Sequence, residues 1–380
     1  MPEIKLENLS KTFDEGRIIA VEKVSLTIQD REYVFILGPS GCGKTTLLKM
    51  ISGLYLPTSG NIFISGKNVT QDPPQSRGIA FIFQHFEIFP MSVWENTIYS
   101  LKVRGYPEEF IIREGQRALR LTGLVDRANQ IPRGWSNGDL QKVGLARAIC
   151  SGAKILIMDE PLGSLDPKVN KEFRWELRKI IKESGITAIQ VTHDQEEAMS
   201  VADRIIVMRE GKLLQEDKQN IIYNSPNSLF VGNFLGGLNV LEGYIYHIDH
   251  PDRYTVKVRL GGPKYEIINQ GDRFKLDENV VIALRFEDVY IFPLDYDYKK
   301  NAELWEDLIL YDGRIIEKFL TGKERMFVVE MDNGDKLTVK KRQILQLTFE
   351  INQRIKIGLF AEDLMLFKRP KSLADELALK

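Results

Sequence analysis

The clearest chemistry in the sequence lies at residues 38–45, which fit the phosphate-binding pattern G-x-x-x-x-G-K-[ST]. Glycines let successive backbone N–H groups turn inward around a polyphosphate, and the N-terminus of a following helix adds partial positive charge. Lys44 is expected to reach the β- and γ-phosphates, and the Thr45 hydroxyl is expected to bind Mg²⁺. We therefore predict a nucleotide site formed by the loop and the residue after it: Gly38, Pro39, Ser40, Gly41, Cys42, Gly43, Lys44, Thr45 and Thr46.

The segments on either side of this loop favour a nucleotide site over an ordinary glycine turn. The apolar run 34–37 predicts a buried strand before the loop. Residues 46–51 predict an amphipathic helix that ends near Gly53. Strand, glycine loop and helix, in that order, are the structural context that the motif requires.

Four further polar residues follow apolar strands elsewhere in the sequence: Gln84, Asp159, Glu160 and His193. Because the loops after the strands of an open α/β sheet gather around a ligand, these side chains are expected to meet the phosphates. Asp159 is placed to hold Mg²⁺ directly or through water, and Glu160 is placed to polarise an attacking water. A single histidine at a strand end is more often structural, but four polar groups at consistent strand ends favour a shared site.

Strands alternate with helices through the first part of the chain, which predicts a mainly parallel sheet covered on both faces. Residues 88–150 are helical and polar-rich, and they indicate a helical insertion in the α/β core. Short strands on both sides of Gly211 predict a late hairpin. We therefore predict an α/β domain at residues 1–237 with a helical subdomain at about 88–150.

The pattern changes to short alternating strands from about residue 238 onward. Residues 282–292 match residues 357–367, with identical Ile, Leu, Glu, Asp and Phe at corresponding positions. Such an internal repeat is typical of duplicated structural units. We predict a second, all-β domain at residues 238–380 that consists of two related small OB-like barrels.

The composition restricts the classes of partner. Charged residues make up 28% of the 380-residue chain and are balanced, with 52 Lys+Arg, 53 Asp+Glu and a net charge of −1. The chain lacks the excess of basic residues that would suggest a nucleic-acid partner. Its apolar runs are all shorter than the ~18 residues that would span a bilayer. The first residues lack the form of a signal peptide, and two cysteines, Cys42 and Cys150, fit a reducing compartment. We expect a soluble cytoplasmic chain that reaches a membrane only through a partner.

With these motifs in this order, the chain resembles the ATPase subunits of ABC transporters, and among them the sugar and polyol importers of the maltose or glycerol-phosphate type. The resemblance covers nearly the full length. It implies that Glu160, His193 and Gln84 are catalytic, that Gln84 joins Thr45 and Asp159 at Mg²⁺, and that Phe13 stacks on adenine. The bland alternative for Phe13 is a surface aromatic. The matching stretches are 38–45 (Walker A), 83–96 (Q-loop and its sequel), 155–160 (Walker B), 192–194 (switch histidine), 223–236 (exit from the ATPase domain) and 285–288 (in the C-terminal regulatory barrel).

Two elements depart from the family pattern. The family's Leu-Ser-Gly-Gly-Gln is Trp-Ser-Asn-Gly-Asp at residues 135–139, here called the signature. The family's D-loop, usually Ser-x-Leu-Asp, is Gly-Ser-Leu-Asp at residues 163–166. The resemblance implies that both elements reach across a head-to-tail dimer to the partner's nucleotide, which Ser136, Gly138 and Asp139 would contact.

The residue types in the signature carry their own physical expectation. Ser136 and Asp139 predict a capping box at the start of a helix over residues 140–149. A carboxylate near a γ-phosphate is repelled by up to about 4 kcal/mol at ~4 Å and an effective dielectric of 20. Simple helix stabilisation by the cap is the alternative.

The resemblance implies an ATP-hydrolysing subunit that uses ATP and Mg²⁺ to drive import of a small polar solute of the sugar, polyol or glycerol type. It would lie peripherally on the cytoplasmic face of the membrane. Implied partners are transmembrane permease subunits, an extracytoplasmic solute-binding protein acting indirectly, and a second ATPase subunit, either an identical copy or a homologue with a standard signature. Two alternatives stay open. One is a regulatory subunit with low turnover, and the other is a soluble ABC ATPase outside transport.

Overall fold

The computed structural model describes residues 3–83, 88–163, 167–258, 264–269, 272–296, 307–321, 324–342 and 349–378. The chain divides into two compact units between Ile222 and Tyr223. Each unit has its own apolar core. Among the described residues, no helix combines the length and the apolar character needed to cross a bilayer.

The first unit is built on a six-stranded sheet in the order β10-β9-β3-β8-β7-β6. All neighbouring strands in it are parallel except the β9–β10 hairpin, which turns at Gly211 as predicted. The central strands β3 and β8 are buried on both faces, and β3 accordingly is a continuous apolar run, whereas β8 carries the buried polar residues Thr187 and Gln190. The strands are β3 (Tyr33–Leu37), β6 (Ile79–Ile82), β7 (Ile155–Asp159), β8 (Thr187–Val191), β9 (Arg204–Arg209) and β10 (Lys212–Asp217).

A smaller antiparallel sheet, in the order β2-β1-β4-β5, belongs to the same unit. Inward and outward side chains alternate at the start of β1, as expected of a sheet with one buried face, and the alternation shifts at an irregularity before the buried Leu9. Its strands are β1 (Ile4–Phe13), β2 (Ile18–Ile28), β4 (Ser59–Ile64) and β5 (Lys67–Asn68).

The helices of the first unit include the one that follows the glycine loop. This helix ends where Gly53 adopts a left-handed φ of 83°, as predicted. The helical insertion contains three helices, α2 to α4, and α2 begins with a capping box between Ser92 and Glu95. The helices are α1 (Lys44–Ser52), α2 (Val93–Val103), α3 (Glu108–Leu121), α4 (Asn137–Cys150), α5 (Pro167–Ser184), α6 (Gln195–Val201) and α7 (Gln219–Asn224).

The second unit consists mainly of two five-stranded antiparallel sheets, β13-β12-β11-β14-β20 and β15-β19-β16-β17-β18. Its described residues also include two short helices, α8 (Leu229–Phe234) and α9 (Leu373–Leu377). The strands are β11 (Leu238–His250), β12 (Arg253–Val258), β13 (Lys264–Ile268), β14 (Asn279–Arg285), β15 (Tyr290–Pro293), β16 (Leu308–Thr321), β17 (Glu324–Met331), β18 (Lys336–Arg342), β19 (Arg354–Phe360) and β20 (Met365–Lys368).

The predicted repeat corresponds to two strand–turn–strand segments, β14–β15 and β19–β20, each with a short 3₁₀ turn between its strands. The repeats exchange their last strands. β20 pairs with β14, and β15 pairs with β19. The two sheets therefore share one apolar core rather than forming two independent barrels.

The division between the units falls earlier than residue 238, the predicted start of the second domain. The segment that follows Ile222 packs on β11 and β14, where Leu229 and Leu238 join a small apolar cluster with Val281 and Ala283. The buried Arg285 guanidinium also donates hydrogen bonds to the carbonyls of Gly232 and Tyr223. These contacts assign α8 to the second unit.

Candidate nucleotide-binding site

A cleft of about 530 Å³ lies over the N-terminus of α1. Its lining combines loop residues with the two strand-end residues from β7 and β8. It also includes Ala20, which the sequence did not single out. The lining residues are Ala20, Ser40, Gly41, Gly43, Lys44, Thr45, Thr46, Glu160 and His193.

The glycines of the loop are required by its backbone and by close neighbours. Gly43 precedes α1 with a φ of 103°, and a Cβ there would lie 2.1 Å from the carbonyl oxygen of Ala20. Gly38 is equally confined, since a Cβ would lie 2.2 Å from the carbonyl oxygen of Met208. No side chain caps the first turn of α1, so its N–H groups remain available to an anion.

Lys44 is buried, and its ammonium folds back onto the loop. Its Nζ donates hydrogen bonds to the carbonyl oxygens of Gly38 and Pro39, each at 2.7 Å. Cys42 is buried beside it, and burial raises the pKa of its thiol, which therefore stays protonated and serves as a small apolar filler. The lysine is held by weak acceptors that a phosphate would replace.

Thr45 and Asp159 meet as expected for a magnesium site. The Thr45 hydroxyl donates to Asp159 Oδ1 at 3.2 Å. Burial, with a further contribution from the charge of Glu160, raises the pKa of the Asp159 carboxyl. Within the described parts of the chain, no cluster of three or more His, Cys, Asp or Glu side chains is placed to hold a metal ion. The donor set therefore fits an ion that takes its other ligands from phosphate and water.

Glu160 and His193 face each other across the cleft. Glu160 Oε2 lies 3.4 Å from His193 Nδ1. The backbone at Glu160 is left-handed, with a φ of 48°, and its N–H donates to the Val191 carbonyl oxygen at 3.0 Å. Left-handed backbone in a residue other than glycine carries strain of about 1–3 kcal/mol and is typical of functional sites. The carboxylate that follows this turn lines the cleft.

The signature lies at the start of α4, where the predicted Ser136 cap is confirmed but the helix starts earlier than predicted. The helix begins at Asn137 rather than at residue 140, with Ser136 as its N-cap. The Ser136 hydroxyl accepts from the Asp139 N–H at 3.3 Å and donates to Asp139 Oδ2 at 2.9 Å. The Asp139 carboxylate thus accepts from the serine hydroxyl through Oδ2, and its other oxygen contacts a cation.

That cation is Arg127, which the sequence did not single out. Its Nη1 lies 3.0 Å from Asp139 Oδ1. Its guanidinium carbon lies 3.4 Å from the ring centroid of Trp135, within the range of a cation–π contact. Arg127 thus contacts both residues by which the signature departs most from the family pattern. The sequence offered one hint of this contact: Arg127 is a basic residue a few positions before Trp135, which is unusual for the signature.

Two further contacts bear on the site. The buried Gln141 of α4 donates through Nε2 to the carbonyl oxygen of Pro161, directly after Glu160, at 2.8 Å. Phe13, at the end of β1, packs edge-to-face on Tyr55 with ring centroids 5.8 Å apart and does not line the cleft. Its contact with adenine stays a prediction. Gln84 and the D-loop residues 164–166 lie outside the described residues.

The sequence is similar to those of several known proteins. A family model described as "ABC transporter" matches residues 21–163. A relative named spermidine/putrescine import ATP-binding protein PotA, from Vibrio cholerae serotype O1, is 36% identical over 88% of this chain and 85% of its own length. The chain belongs to the ATP-binding proteins of ABC transporters. A relative of the same name from Bacteroides thetaiotaomicron is 40% identical over 77% of this chain, but the match spans only 61% of that protein.

Solved structures agree with the family. The protein cbiO1 from Clostridium perfringens, described as part of the ABC transporter complex cbiONQ, matches 60% of this chain and 94% of its own, with 28% identity and a TM-score of 0.55. A dimeric bacterial ABC transporter cassette matches 57% of this chain and 98% of its own, with 33% identity and a TM-score of 0.50. The predicted ABC ATPase fold is confirmed, and the β-rich second unit fits the predicted OB-like domain.

Proposed function

We propose that the chain is the ATP-hydrolysing subunit of an ABC importer for polyamines. The observation that carries this proposal is the Vibrio cholerae relative, whose name includes spermidine/putrescine import and whose similarity extends over 85% of its length. That similarity runs beyond the ATPase unit into the β-rich unit. The relatives named above do not support a sugar or polyol as the solute, which was expected from the resemblance. We therefore propose a polycationic amine as the solute.

Different residues of the cleft would bind the phosphates, hold Mg²⁺ and activate water. The N–H groups of the glycine loop and Lys44 would bind the β- and γ-phosphates, for which the lysine would exchange its two backbone acceptors. Thr45 and Asp159 would hold Mg²⁺, which withdraws charge from phosphate oxygens when it is bound. Glu160 would accept a proton from the attacking water, and His193, 3.4 Å away, would orient that carboxylate.

Hydrolysis is tested with Glu160→Gln, which keeps the shape of the side chain and removes the base. We expect ATP binding to be retained and turnover to fall by roughly 10²-fold or more, the scale for loss of a general base. Glu210→Gln is the matched control, since Glu210 lies outside the cleft lining and shares the left-handed backbone, with a φ of 51°. Near-normal turnover in Glu160→Gln would refute the assignment. Negligible turnover in the unmodified protein, alone and with its permease, would favour the low-turnover regulatory alternative.

The solute class is tested by transport. The chain and the permease subunits that co-purify with it would be placed in vesicles, with the solute-binding protein supplied on the opposite side. ATP-dependent uptake of labelled spermidine or putrescine is expected, and the Glu160→Gln complex is the negative control. Uptake of a maltose-type sugar or glycerol phosphate instead of the amines would restore the sugar and polyol class. This arrangement also tests the proposed peripheral position on the cytoplasmic face.

We also propose that two ATPase subunits work as an asymmetric pair. This chain keeps the groups that serve its own nucleotide, and its departures lie in elements expected to serve the partner's. A homologous partner with a standard signature and a defective Walker B or switch position would give one strong and one weak site. The isolated chain should then hydrolyse ATP slowly and gain turnover when that partner is added. Fast turnover by the isolated chain, with no gain from a second subunit, would leave a homodimer.

A further inference from the structure

A chain of buried polar groups runs beneath the segment that carries His193. It connects Tyr33 on β3, Gln190 on β8, Glu197 on α6 and Thr192, all of which are buried. The Tyr33 hydroxyl donates to Gln190 Oε1, and Gln190 Nε2 donates to Glu197 Oε1. The Thr192 hydroxyl donates to the other carboxylate oxygen, Glu197 Oε2, at 2.7 Å. None of these residues lines the nucleotide cleft.

Glu197 holds both neighbours of His193. Thr192, before the histidine, donates to the Glu197 carboxylate and accepts from the Asp194 N–H at 3.0 Å. Asp194, after the histidine, is the N-cap of α6, and its Oδ1 accepts from the Glu197 N–H at 3.0 Å. The His193 side chain itself is 66% exposed and has Glu160 as its neighbour in the cleft. The backbone on both sides of the exposed ring is therefore held by hydrogen bonds that involve the buried Thr192 and Glu197.

An ionised carboxylate suits this position because it can only accept hydrogen bonds, and both of its neighbours donate. Protonation turns one oxygen into a donor, so either the Gln190 or the Thr192 bond must break or reverse. Burial raises the pKa of the Glu197 carboxyl to about 7, so this change falls in the neutral range. The ionisable groups that face it are Asp194 on its own turn, Arg174 from α5 and Tyr33 from β3.

We propose that Glu197 is a positioning residue for hydrolysis, whose ionised carboxylate fixes the Thr192–Asp194 turn and so keeps His193 facing Glu160. This inference rests on the proposed ATPase function. It makes turnover depend on the protonation of a residue that contacts neither the nucleotide cleft nor the nucleotide loop. Protonation releases the turn, and His193 loses its fixed position.

A purely structural role for the same network predicts something different. Loss of Glu197 would then lower the stability of the protein but leave the turnover of the folded fraction and its pH profile unchanged. The distinction needs a variant that folds. Glu197→Gln has the size of the protonated carboxyl and its capacity to donate, whereas Glu197→Ala removes the contacts altogether. Glu216→Gln on β10 is the matched control, since burial also raises the pKa of that carboxyl and it lies away from the His193 turn.

The experiment measures kcat and KM for ATP from pH 6 to pH 8.5 with the full-length chain. Because a misplaced catalytic group can cost about 10²-fold, we expect kcat of Glu197→Gln at pH 8 to be lower by roughly 10-fold or more, with KM little changed. Its profile should be flat where the unmodified protein gains activity through about pH 7. Glu216→Gln should match the unmodified protein. A folded Glu197→Gln variant with normal kcat and a normal pH profile would overturn the proposal.

A second measurement is independent of turnover. The chain has four histidines, so the imidazole resonances of His193 can be assigned by loss of one signal in His193→Gln. At pH 8, where Glu197 is ionised in the unmodified protein, the His193 signals should be shifted or broadened in Glu197→Gln and unchanged in Glu216→Gln, because only the first variant releases the Thr192–Asp194 turn. If the His193 signals of Glu197→Gln match those of the unmodified protein, the proposal fails even where hydrolysis is seen. If they differ but the unmodified protein hydrolyses no ATP, the coupling stands and the proposed ATPase function fails.

Discussion

The pair formed by Arg127 and Asp139 makes a sharp prediction about the signature. Asp139 engages the Ser136 hydroxyl through one oxygen and Arg127 through the other. In a head-to-tail dimer of the family type, both contacts would lie beside the partner's γ-phosphate. Asp139 would weaken the binding of that phosphate by occupying the Ser136 hydroxyl, which could otherwise donate to it. Its negative charge would also repel the phosphate, and the Arg127 guanidinium reduces this repulsion.

The magnitudes follow from the exposure of the pair. The side chains of Arg127 and Asp139 are 34% and 32% exposed, so the net stabilisation from their ion pair is about 0.2–1 kcal/mol. Release of the Ser136 hydroxyl offers one hydrogen bond to a charged acceptor, worth about 1.5–3 kcal/mol. Unmasking the carboxylate adds repulsion of up to about 4 kcal/mol at ~4 Å, which exposure and Mg²⁺ reduce to about 1 kcal/mol.

A double-mutant cycle separates the two effects. Asp139→Gln should raise the turnover of the isolated chain about tenfold or more, since 1.4 kcal/mol corresponds to a factor of ten. Arg127→Ala should lower it about fivefold by unmasking Asp139, most strongly at low salt. The double variant should resemble Asp139→Gln, because without the carboxylate Arg127 has no charge to mask. The assay is steady-state ATP hydrolysis over a range of protein concentrations, since the effect requires a dimer.

Strict additivity in this cycle would refute the reasoning, because it would mean that Arg127 acts on the phosphate without Asp139. A tenfold gain from Asn137→Gly combined with Asp139→Gln, but none from Asp139→Gln alone, would assign the weakness of the signature to residue 137. Arg133→Ala, a change of the same kind in the loop before the signature, is the control and should leave the rate unchanged.

Two remaining predictions concern binding and stability. If the Phe13 ring stacks on the base, Phe13→Ala should weaken ATP binding by about 1–2 kcal/mol, measured with a fluorescent nucleotide. The control Tyr55→Phe should leave the affinity unchanged. An unchanged affinity in Phe13→Ala would make Phe13 a surface aromatic. Arg77→Ala should lower the free energy of unfolding, measured in urea, by about 3 kcal/mol or more. The reason is that the buried guanidinium donates to four backbone carbonyls, those of Met50, Ile51, Thr70 and Asp72. Arg77→Lys should recover only part of this stability, because lysine lacks the planar fork of donors.

The nucleotide loop was predictable because its chemistry is local. Strand, loop and helix are consecutive, and the pattern itself demands glycine where the backbone approaches Ala20 and Met208. The strand-end groups Asp159, Glu160 and His193 were predictable for a related reason. Parallel strands end at one edge of the sheet, and the register of β7 with β8 then brings their ends together.

The parts that the sequence did not reveal depend on contacts between distant segments. Arg127 has no motif of its own, and its role appears only when its loop lies against the signature. Glu197 looks like an ordinary acidic residue in the first turn of a helix until β3 and β8 place Tyr33 and Gln190 behind it. The exchange of β15 and β20 was likewise hidden, because the repeat predicts two similar units and not which strands they share.

The contacts of α4 change what can be inferred from an altered signature. The N-terminus of this helix carries Ser136 and Asp139, which would serve the partner's nucleotide. One residue beyond the first turn, Gln141 bonds to the carbonyl of Pro161, next to this chain's own Glu160. A shift of the helix that accommodates Trp135 and Asp139 would thus be transmitted to Glu160, the carboxylate proposed to activate water at this chain's own nucleotide. The altered signature would then weaken the partner's site directly and affect this chain's own site only indirectly, through Gln141. Turnover of a mixed dimer should be measured with Glu160→Gln placed in each subunit in turn.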